Sequence, residues 1–337
     1  MIIVMTPAAT REQVSAVTEM VEINGLKAHL SQGAQATIIG VVGDKSRLQK
    51  ENIELMPGVE KLVPVVESYK LASRSFHPED TVVTVGGVSI GGANLAMMAG
   101  PCAVESKEQI TTAAQAVAAS GAQFLRGGAF KPRTSPYAFQ GMEQEGYRLL
   151  RKAADQAGLR VVSEIISEAD LDVACRCCDI LQVGARNMQN FRLLKALGRS
   201  GKPILLKRGS AATIAEWLDA AEYILSEGNP QVILCERGIR TFETATRNTL
   251  DLSAVAVAKE KSHLPVIVDP SHAAGKNRYV ESLSLAAIAA GADGLIVEVH
   301  PNPRTAVSDA AQQLTFDQFD ALCQKCAKVA NAVGRRL

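Results

Sequence analysis

From Asn94 onward, short apolar runs alternate with helical stretches eight times, and no other feature of the 337-residue chain constrains its fold so tightly. The runs are Leu95–Ala99, Ala122–Leu125, Arg160–Ser163, Ile180–Val183, Pro203–Leu206, Val232–Cys235, Pro265–Val268 and Gly294–Val297. They are apolar almost throughout rather than at alternate positions, as expected of parallel strands buried on both faces. Segments with helical periodicity, such as Ser106–Ser120, Thr213–Leu225 and Phe316–Ala332, separate them. Eight such units over about 240 residues predict an α/β chain whose main body is a TIM (β/α)8 barrel. A doubly wound open sheet is the rival architecture, because strand order is invisible in a sequence.

The first 68 residues predict a separate, small α+β unit. Ile2–Met5 reads as a strand, and Thr10–Asn24 as a helix with Val14, Val17 and Val21 on one face. In Leu26–Ser31, Leu26, Ala28 and Leu30 face one way and Lys27, His29 and Ser31 the other. A strand at Thr37–Val42, a short helix at Ser46–Leu55 and a strand at Val59–Val66 complete a β-α-β-β-α-β order, which suits a ferredoxin-like fold. Residues 69–93 read as a connection with a hairpin at Thr81–Ile90 around Gly86-Gly87, and residues 94–337 as the barrel.

The formal net charge is +1, so no nucleic-acid footprint is indicated and any basic cluster is local. No apolar run approaches the ~20 residues of a membrane span, and Met1–Met5 lacks the basic and long apolar regions of a signal peptide. Seven cysteines in no secreted-disulfide pattern favour a reducing cytoplasm. Cys323-x-x-Cys326 has the spacing of a zinc half-site, but without a second ordered pair it reads as two small residues packed on one helix face.

In a β/α barrel the catalytic face is built from the residues just past the C-terminal end of each strand. Here the strands lead into Cys102, then Arg126 with Lys131, Arg133 and Thr134, then Glu164, Ala185-Arg186, Lys207, Glu236-Arg237, Asp269 with His272, and Glu298, with Asp309 beyond. Arg126, Lys131, Arg133, Arg186, Lys207 and Arg237 form a cationic set on a nearly neutral chain. Guanidinium forks and ammonium charges of that number call for a ligand carrying several negative charges. Cys102, His272, Glu298 and Asp309 form a second set. One thiolate, one imidazole and two carboxylates suit one divalent metal ion of the Mn, Fe, Co or Zn class.

The segments GPCAVES, LRGGAFKPRTSPY, VSEI, QVGARNMQN, LLKRG, ERG, VDPSHAAG and EVH with NP close behind together resemble the 3-deoxy-D-arabino-heptulosonate-7-phosphate (DAHP) synthases. The likeness covers Asn94–Leu337 and is nearest to the microbial group with an N-terminal ferredoxin-like, ACT-like regulatory domain. The resemblance implies condensation of phosphoenolpyruvate with erythrose 4-phosphate, the first step of the shikimate pathway to the aromatic amino acids. It implies that Cys102, His272, Glu298 and Asp309 hold the metal. Arg186, beside Ala185, and Arg237 would bind the phosphoenolpyruvate phosphate, and Arg126, Lys131 and Lys207 its carboxylate. Arg133 and Thr134 would take the aldose phosphate, with Asp269 near its hydroxyls. Lys131 would be the proton donor, and Glu164 or a metal-linked group would assist the attacking water. In the first unit, the resemblance makes His29 and Ser31 candidates for hydrogen bonds to an aromatic amino acid effector, against the plain reading of a wet strand face. A homo-oligomer, such as a tetramer, is also expected on this basis.

Two other readings compete. The related synthase acting on arabinose 5-phosphate carries a loop resembling Lys-Ala-Asn-Arg-Ser, where this chain has Lys131-Pro132-Arg133-Thr134-Ser135. An amino-acid-binding regulator on an inactive barrel predicts a missing ligand or cation, and none is missing.

Overall fold

The computed structural model describes residues 1–33, 37–43, 50–63, 68–131, 135 and 137–337. The chain divides into two compact units, Met1–Asp80 with Glu260–His263, and Thr81–Lys259 with Leu264–Leu337.

In the first unit, β1 (Ile2–Met5), α1 (Arg11–Ile23), β2 (Lys27–Gln32), β3 (Thr37–Val42), α2 (Lys50–Glu54) and β4 (Val59–Val63) follow the expected order. The antiparallel sheet runs β2-β3-β1-β4, the ferredoxin-like arrangement. Thr10 starts α1 with a capping box shared with Gln13, and Val14, Val17 and Val21 bury their face against Ile3, Met5, Ile39 and Val41. Leu26 and Ala28 join that core, but Leu30 is 47% exposed. Among the described residues strand β2 pairs with β3 alone, at the edge of the sheet, so period-2 alternation does not guarantee burial there. The first four residues expected in the helix at Ser46–Leu55 and the last three of the strand at Val59–Val66 lie outside the described residues.

In the second unit, β5 (Val83–Val85) and β6 (Val88–Ile90) form the hairpin. The barrel strands are β7 (Ala96–Gly100), β8 (Phe124–Arg126), β9 (Arg160–Glu164), β10 (Ile180–Val183), β11 (Ile204–Lys207), β12 (Val232–Glu236), β13 (Val266–Val268) and β14 (Gly294–Glu298). All pair in parallel, and β14 closes on β7 with Glu298 opposite Gly100, which disposes of the open-sheet alternative. The helices are α3 (Lys107–Ala119), α4 (Glu143–Ala157), α5 (Leu171–Cys177), α6 (Phe191–Arg199), α7 (Ile214–Leu225), α8 (Leu252–Lys261), α9 (Pro270–Ala274), α10 (Asn277–Ala289) and α11 (Phe316–Ala332).

Val83, Val85 and Ile90 of the hairpin pack in one cluster with Met98, Phe124, Val162, Leu205 and Ile296, so the interior is filled side chain on side chain. Gly86 permits a close approach. A Cβ there would lie 1.9 Å from Arg160 Nε, and Arg160 donates to the Gly86 carbonyl at 2.8 Å. Cys323 and Cys326 are buried on α11, as packing residues. Among the described residues no helix is long and apolar enough to cross a membrane.

Candidate active site

A cavity of about 320 Å³ lies at the strand C-terminal end of the barrel. Its lining includes Lys131, Glu164, Ala185, Arg186, Lys207, Arg237, His272 and Asp309, all singled out in the sequence, together with Ser210, Arg240, Arg247 and Asn248, which were not. Among the described residues, six of the lining side chains are Lys or Arg and two are acidic, Glu164 and Asp309. A surplus of that size in a recess favours an anion with several charges. Arg133 and Thr134 lie outside the described residues.

Cys102, Arg126, Asp269 and Glu298 are buried, at 0%, 5%, 1% and 1% exposure. Cys102 stands two residues past the end of β7, and its amide donates to Gln313 Oε1 at 3.1 Å. Its sulfur, a Glu298 oxygen and an Asp309 oxygen all lie within 4.8 Å of one another. His272 Nε2 is 3.4 Å from Glu298 Oε1 and 3.9 Å from Asp309 Oδ2. The other ring nitrogen, Nδ1, donates to Asp269 Oδ2 at 2.7 Å. That bond fixes the tautomer and turns the Nε2 lone pair toward the two carboxylates. The thiol and the two carboxylates form one group that could hold a metal ion, His272 stands beside the carboxylates, and these donor types suit a divalent metal.

The electrostatics agree. Burial pushes the Cys102 thiol up to about 11, with Glu298 adding to the rise and Lys131 opposing it. Burial lowers the His272 imidazolium against the pull of Asp269 and Glu298, so the ring is neutral near pH 7. Burial acts to raise Asp309, yet Arg247, His272 and Lys131 overcome it and bring its carboxyl to about 2. Glu298 is lowered in the same way, burial being outweighed by His272, Arg126 and Lys131. Both carboxylates are ionised and ready to ligate.

The cations divide into two kinds. Arg126 donates to Glu298 Oε1 at 2.7 Å and to the Pro101 carbonyl at 3.0 Å, while its buried Nε has no partner among the described residues. Lys207 pairs with Asp269 Oδ2, the oxygen that also holds His272. Asp269 therefore ties a cavity-lining cation to an imidazole, a link the sequence did not reveal. Among the described residues Arg237 makes a 3.5 Å contact to the Gly238 carbonyl, and burial followed by the neighbouring Arg247 depresses its guanidinium against Asp269. Lys131 donates to Cys102 Sγ at 3.0 Å and to the Cys102 carbonyl at 3.1 Å. Gly128 makes room for it, since a Cβ there would meet Lys131 Cδ at 2.9 Å.

Glu164 ends β9 beside Gly184, where a Cβ would come within 2.0 Å of its carboxylate. Glu236, by contrast, is fully buried between Arg208 at 3.0 Å and the Gly238 amide at 2.6 Å, a structural ion pair. His29 and Ser31 are half-buried on β2, opposite Gly40 and Ile38.

Arg247, Asn248 and Gln312 escaped the sequence reading because they are not at strand ends. They sit in the connections 237–251 and 299–315. The signal was their length, since connections beyond about 12–15 residues in a compact domain are usually functional.

The profile of the DAHP synthetase I family matches residues 74–334, and that of the DAHP synthase ferredoxin-like domain matches residues 1–67. A phospho-2-dehydro-3-deoxyheptonate aldolase of Thermotoga maritima is 50% identical over 334 residues, covering 99% of both chains. Its crystal structure superposes with a TM-score of 0.80 over 99% of this chain and 98% of that one. A 2-dehydro-3-deoxyphosphooctonate aldolase of Syntrophotalea carbinolica is 34% identical, over 69% of this chain and 90% of its own. A single family profile thus spans the whole barrel whose strand ends converge on this cavity, a second profile spans the preceding ferredoxin-like unit, and the chain belongs to the DAHP synthetase I family.

Proposed function

We propose that the chain condenses phosphoenolpyruvate with D-erythrose 4-phosphate, giving DAHP and inorganic phosphate. One observation carries the reading: a cavity lined, among the described residues, by six cations lies against the group of Cys102, Glu298 and Asp309, with His272 in its wall. A divalent ion of the Mn, Fe, Co or Zn class, held by Cys102, His272, Glu298 and Asp309, supplies Lewis acidity toward the aldehyde oxygen.

The residues account for the rest. Arg186, with the Ala185 backbone, and Arg237 take the phosphoenolpyruvate phosphate, and Arg126, Lys131 and Lys207 take its carboxylate. Arg126 Nε, buried and without a partner among the described residues, suits an acceptor brought by substrate. Arg133 and Thr134 take the aldose phosphate, and Asp269 orients Lys207 and His272 beneath the sugar hydroxyls. Carbon 3 of the enol attacks the aldehyde carbon, and Lys131 delivers a proton to the alkoxide that forms. Its ammonium state is favoured, because Cys102 and Glu298 outweigh the effect of burial. Water adds at carbon 2, oriented by Glu164, and phosphate leaves. Charges fixed before the reaction begins supply most of the rate.

The test is phosphate release from phosphoenolpyruvate by chelated and metal-reloaded protein, with erythrose 4-phosphate and arabinose 5-phosphate compared side by side. Turnover that survives chelation, or a preference for the pentose, would sink the reading. The lower identity and coverage of the phosphooctonate aldolase relatives speak against the pentose.

For the first unit, the proposal is an effector site for tyrosine or phenylalanine. His29 and Ser31 would hydrogen-bond the ligand where two such units meet in a homo-oligomer. Feedback inhibition that persists after deletion of residues 1–68 would exclude it.

A further inference from the structure

Two consecutive glutamines come shortly after Asp309, and both are buried, Gln312 at 2% and Gln313 at 0% exposure. They point to different sides of the site. Gln313 accepts from the Cys102 amide at 3.1 Å and donates to the Ser308 carbonyl at 2.8 Å, fixing backbone. Gln312 instead turns its amide toward the two carboxylates. Its Nε2 donates to Glu298 Oε2 at 2.6 Å and lies 3.4 Å from Asp309 Oδ2. Its Oε1 accepts from Arg247 Nη1 at 3.1 Å, and the same nitrogen donates to Asp309 Oδ2 at 3.1 Å.

The orientation of this amide is dictated by chemistry. A guanidinium has only donors and an ionised carboxylate only acceptors, so oxygen must face Arg247 and nitrogen must face the acids. The two acids differ in how firmly the fold holds them. Glu298 ends β14, and its amide donates to Ser271 Oγ at 3.0 Å. Asp309 stands in a long connection with a left-handed backbone, φ 49°, which a non-glycine residue rarely adopts. A loop carboxylate left to find its geometry loses conformational entropy when it ligates; one already held does not. Gln312 is the part that carries the fixed position of Glu298 across to Asp309.

We propose that Gln312, its amide oriented by Arg247, is a positioning residue for the metal site, holding Glu298 and Asp309 so that both present an oxygen to the cation shared with Cys102 and His272. The proposal rests on the metal reading above. It gives a task to a buried amide, and a second one to an arginine of the cavity wall.

The experiment uses full-length, chelated protein and Mn2+ alone, with Co2+ as the spectroscopic probe. Gln312→Leu keeps the side chain's bulk and removes its hydrogen bonds. Arg247→Lys keeps the charge but shortens the side chain, drawing the donor nitrogen away from Asp309 and Gln312. Gln312→Leu is expected to weaken Mn2+ binding on the order of 10–100-fold, the usual cost of losing an outer-shell partner. Arg247→Lys is expected to weaken it less. At saturating Co2+ the thiolate charge-transfer band from Cys102 persists while the d–d bands move, and kcat at saturating metal falls far less than the affinity does. Wild-type Mn2+ affinity in Gln312→Leu with a lowered melting temperature would overturn the proposal, leaving Gln312 a loop staple. If that variant does not fold, an unchanged Mn2+ affinity in folded Arg247→Lys overturns it equally. Failure of the wild-type chain to bind Mn2+ or Co2+ would instead remove the metal reading itself.

Discussion

Lys131 Nζ lies 3.0 Å from Cys102 Sγ, so the proposed proton donor and a proposed metal ligand share one buried contact. Burial alone disfavours an ammonium there, but Cys102 and Glu298 reverse the balance and its pKa is raised. A raised pKa keeps the proton on Lys131 through neutral pH and makes it available only to a strong base, such as a developing alkoxide. Lys131→Met is therefore expected to lower kcat on the order of 100- to 10,000-fold, the range for a lost general acid. Mn2+ binding is expected to persist. Single-turnover rates beside a Mn2+ titration check this, and a variant with near-normal kcat would remove Lys131 from the chemistry.

Metal uptake is expected to depend on pH through one group. The Cys102 thiol, pushed up to about 11, is protonated at neutral pH and must lose its proton to ligate. His272 is held below its ordinary value by burial, so it is neutral already and releases nothing. Both carboxylates are lowered and ionised. Protons therefore compete with metal for Cys102 alone, and affinity rises with pH, by about tenfold per unit for one proton released. Calorimetry of Mn2+ binding in buffers of different ionisation enthalpy reads the proton count directly. Affinity that is flat between about pH 7 and 9 would contradict the assignment.

The fold was legible because its period was. Eight buried parallel strands leave eight apolar runs, and their ends fell within a residue or two of the observed ones; β10, at Ile180–Val183, fell on them. Closure of β14 onto β7 was not legible, since it depends on pairing between residues some two hundred positions apart. Leu30 shows the opposite limit. Its alternation with Ala28 was plain, but its exposure comes from β2 being an edge, a property of topology rather than of local pattern.

At the site, residues at or just beyond a strand end were found because the fold itself aims them: Cys102, Arg126, Lys207, Asp269 and Glu298. What stayed hidden was their pairing. That Asp269 joins Lys207 to His272, and Gln312 joins Glu298 to Asp309, depends on side-chain directions across the barrel mouth. A glutamine near an aspartate carries no chemical signature, so Gln312 could emerge only from geometry.

At the other end of the barrel, Arg335 gathers several loose ends. It donates to the carbonyls of Gly291 at 3.2 Å, Ala292 at 2.8 Å, Gly92 at 2.9 Å and Asn94 at 3.2 Å, and to Asp293 Oδ1 at 2.5 Å. Asp293 is 1% exposed and also receives Lys259 and the Val266 amide. Arg335→Leu is expected to destabilise the barrel by about 3 kcal/mol, the lower part of the range for breaking a buried pair, since Lys259 still faces the acid. Urea unfolding of the two proteins measures the difference. A change below about 0.5 kcal/mol, the size of an ordinary surface substitution, would show that these bonds contribute little.

His263 supplies a pH-dependent stability for the first compact unit. It is 5% exposed, its Nε2 donates to the Leu71 carbonyl at 2.8 Å, and the His77 ring stacks on it at 4.4 Å. Burial, supported by His77 and Arg74 and opposed by the Leu71 carbonyl, lowers its pKa to about 4. The unfolded chain, with an ordinary histidine near 6.5, takes up the proton first as pH falls. The stabilisation is thus complete above about pH 6.5 and is lost on acidification toward pH 4, on the order of 3 kcal/mol in all. Protection factors of the amides of residues 69–77, each referred to the unstructured exchange rate at the same pH, are expected to fall across that window in the wild type. His263→Gln, which can still donate to Leu71 but does not titrate, is expected to flatten the dependence. An equal fall in protection in both proteins would assign the pH sensitivity to other groups.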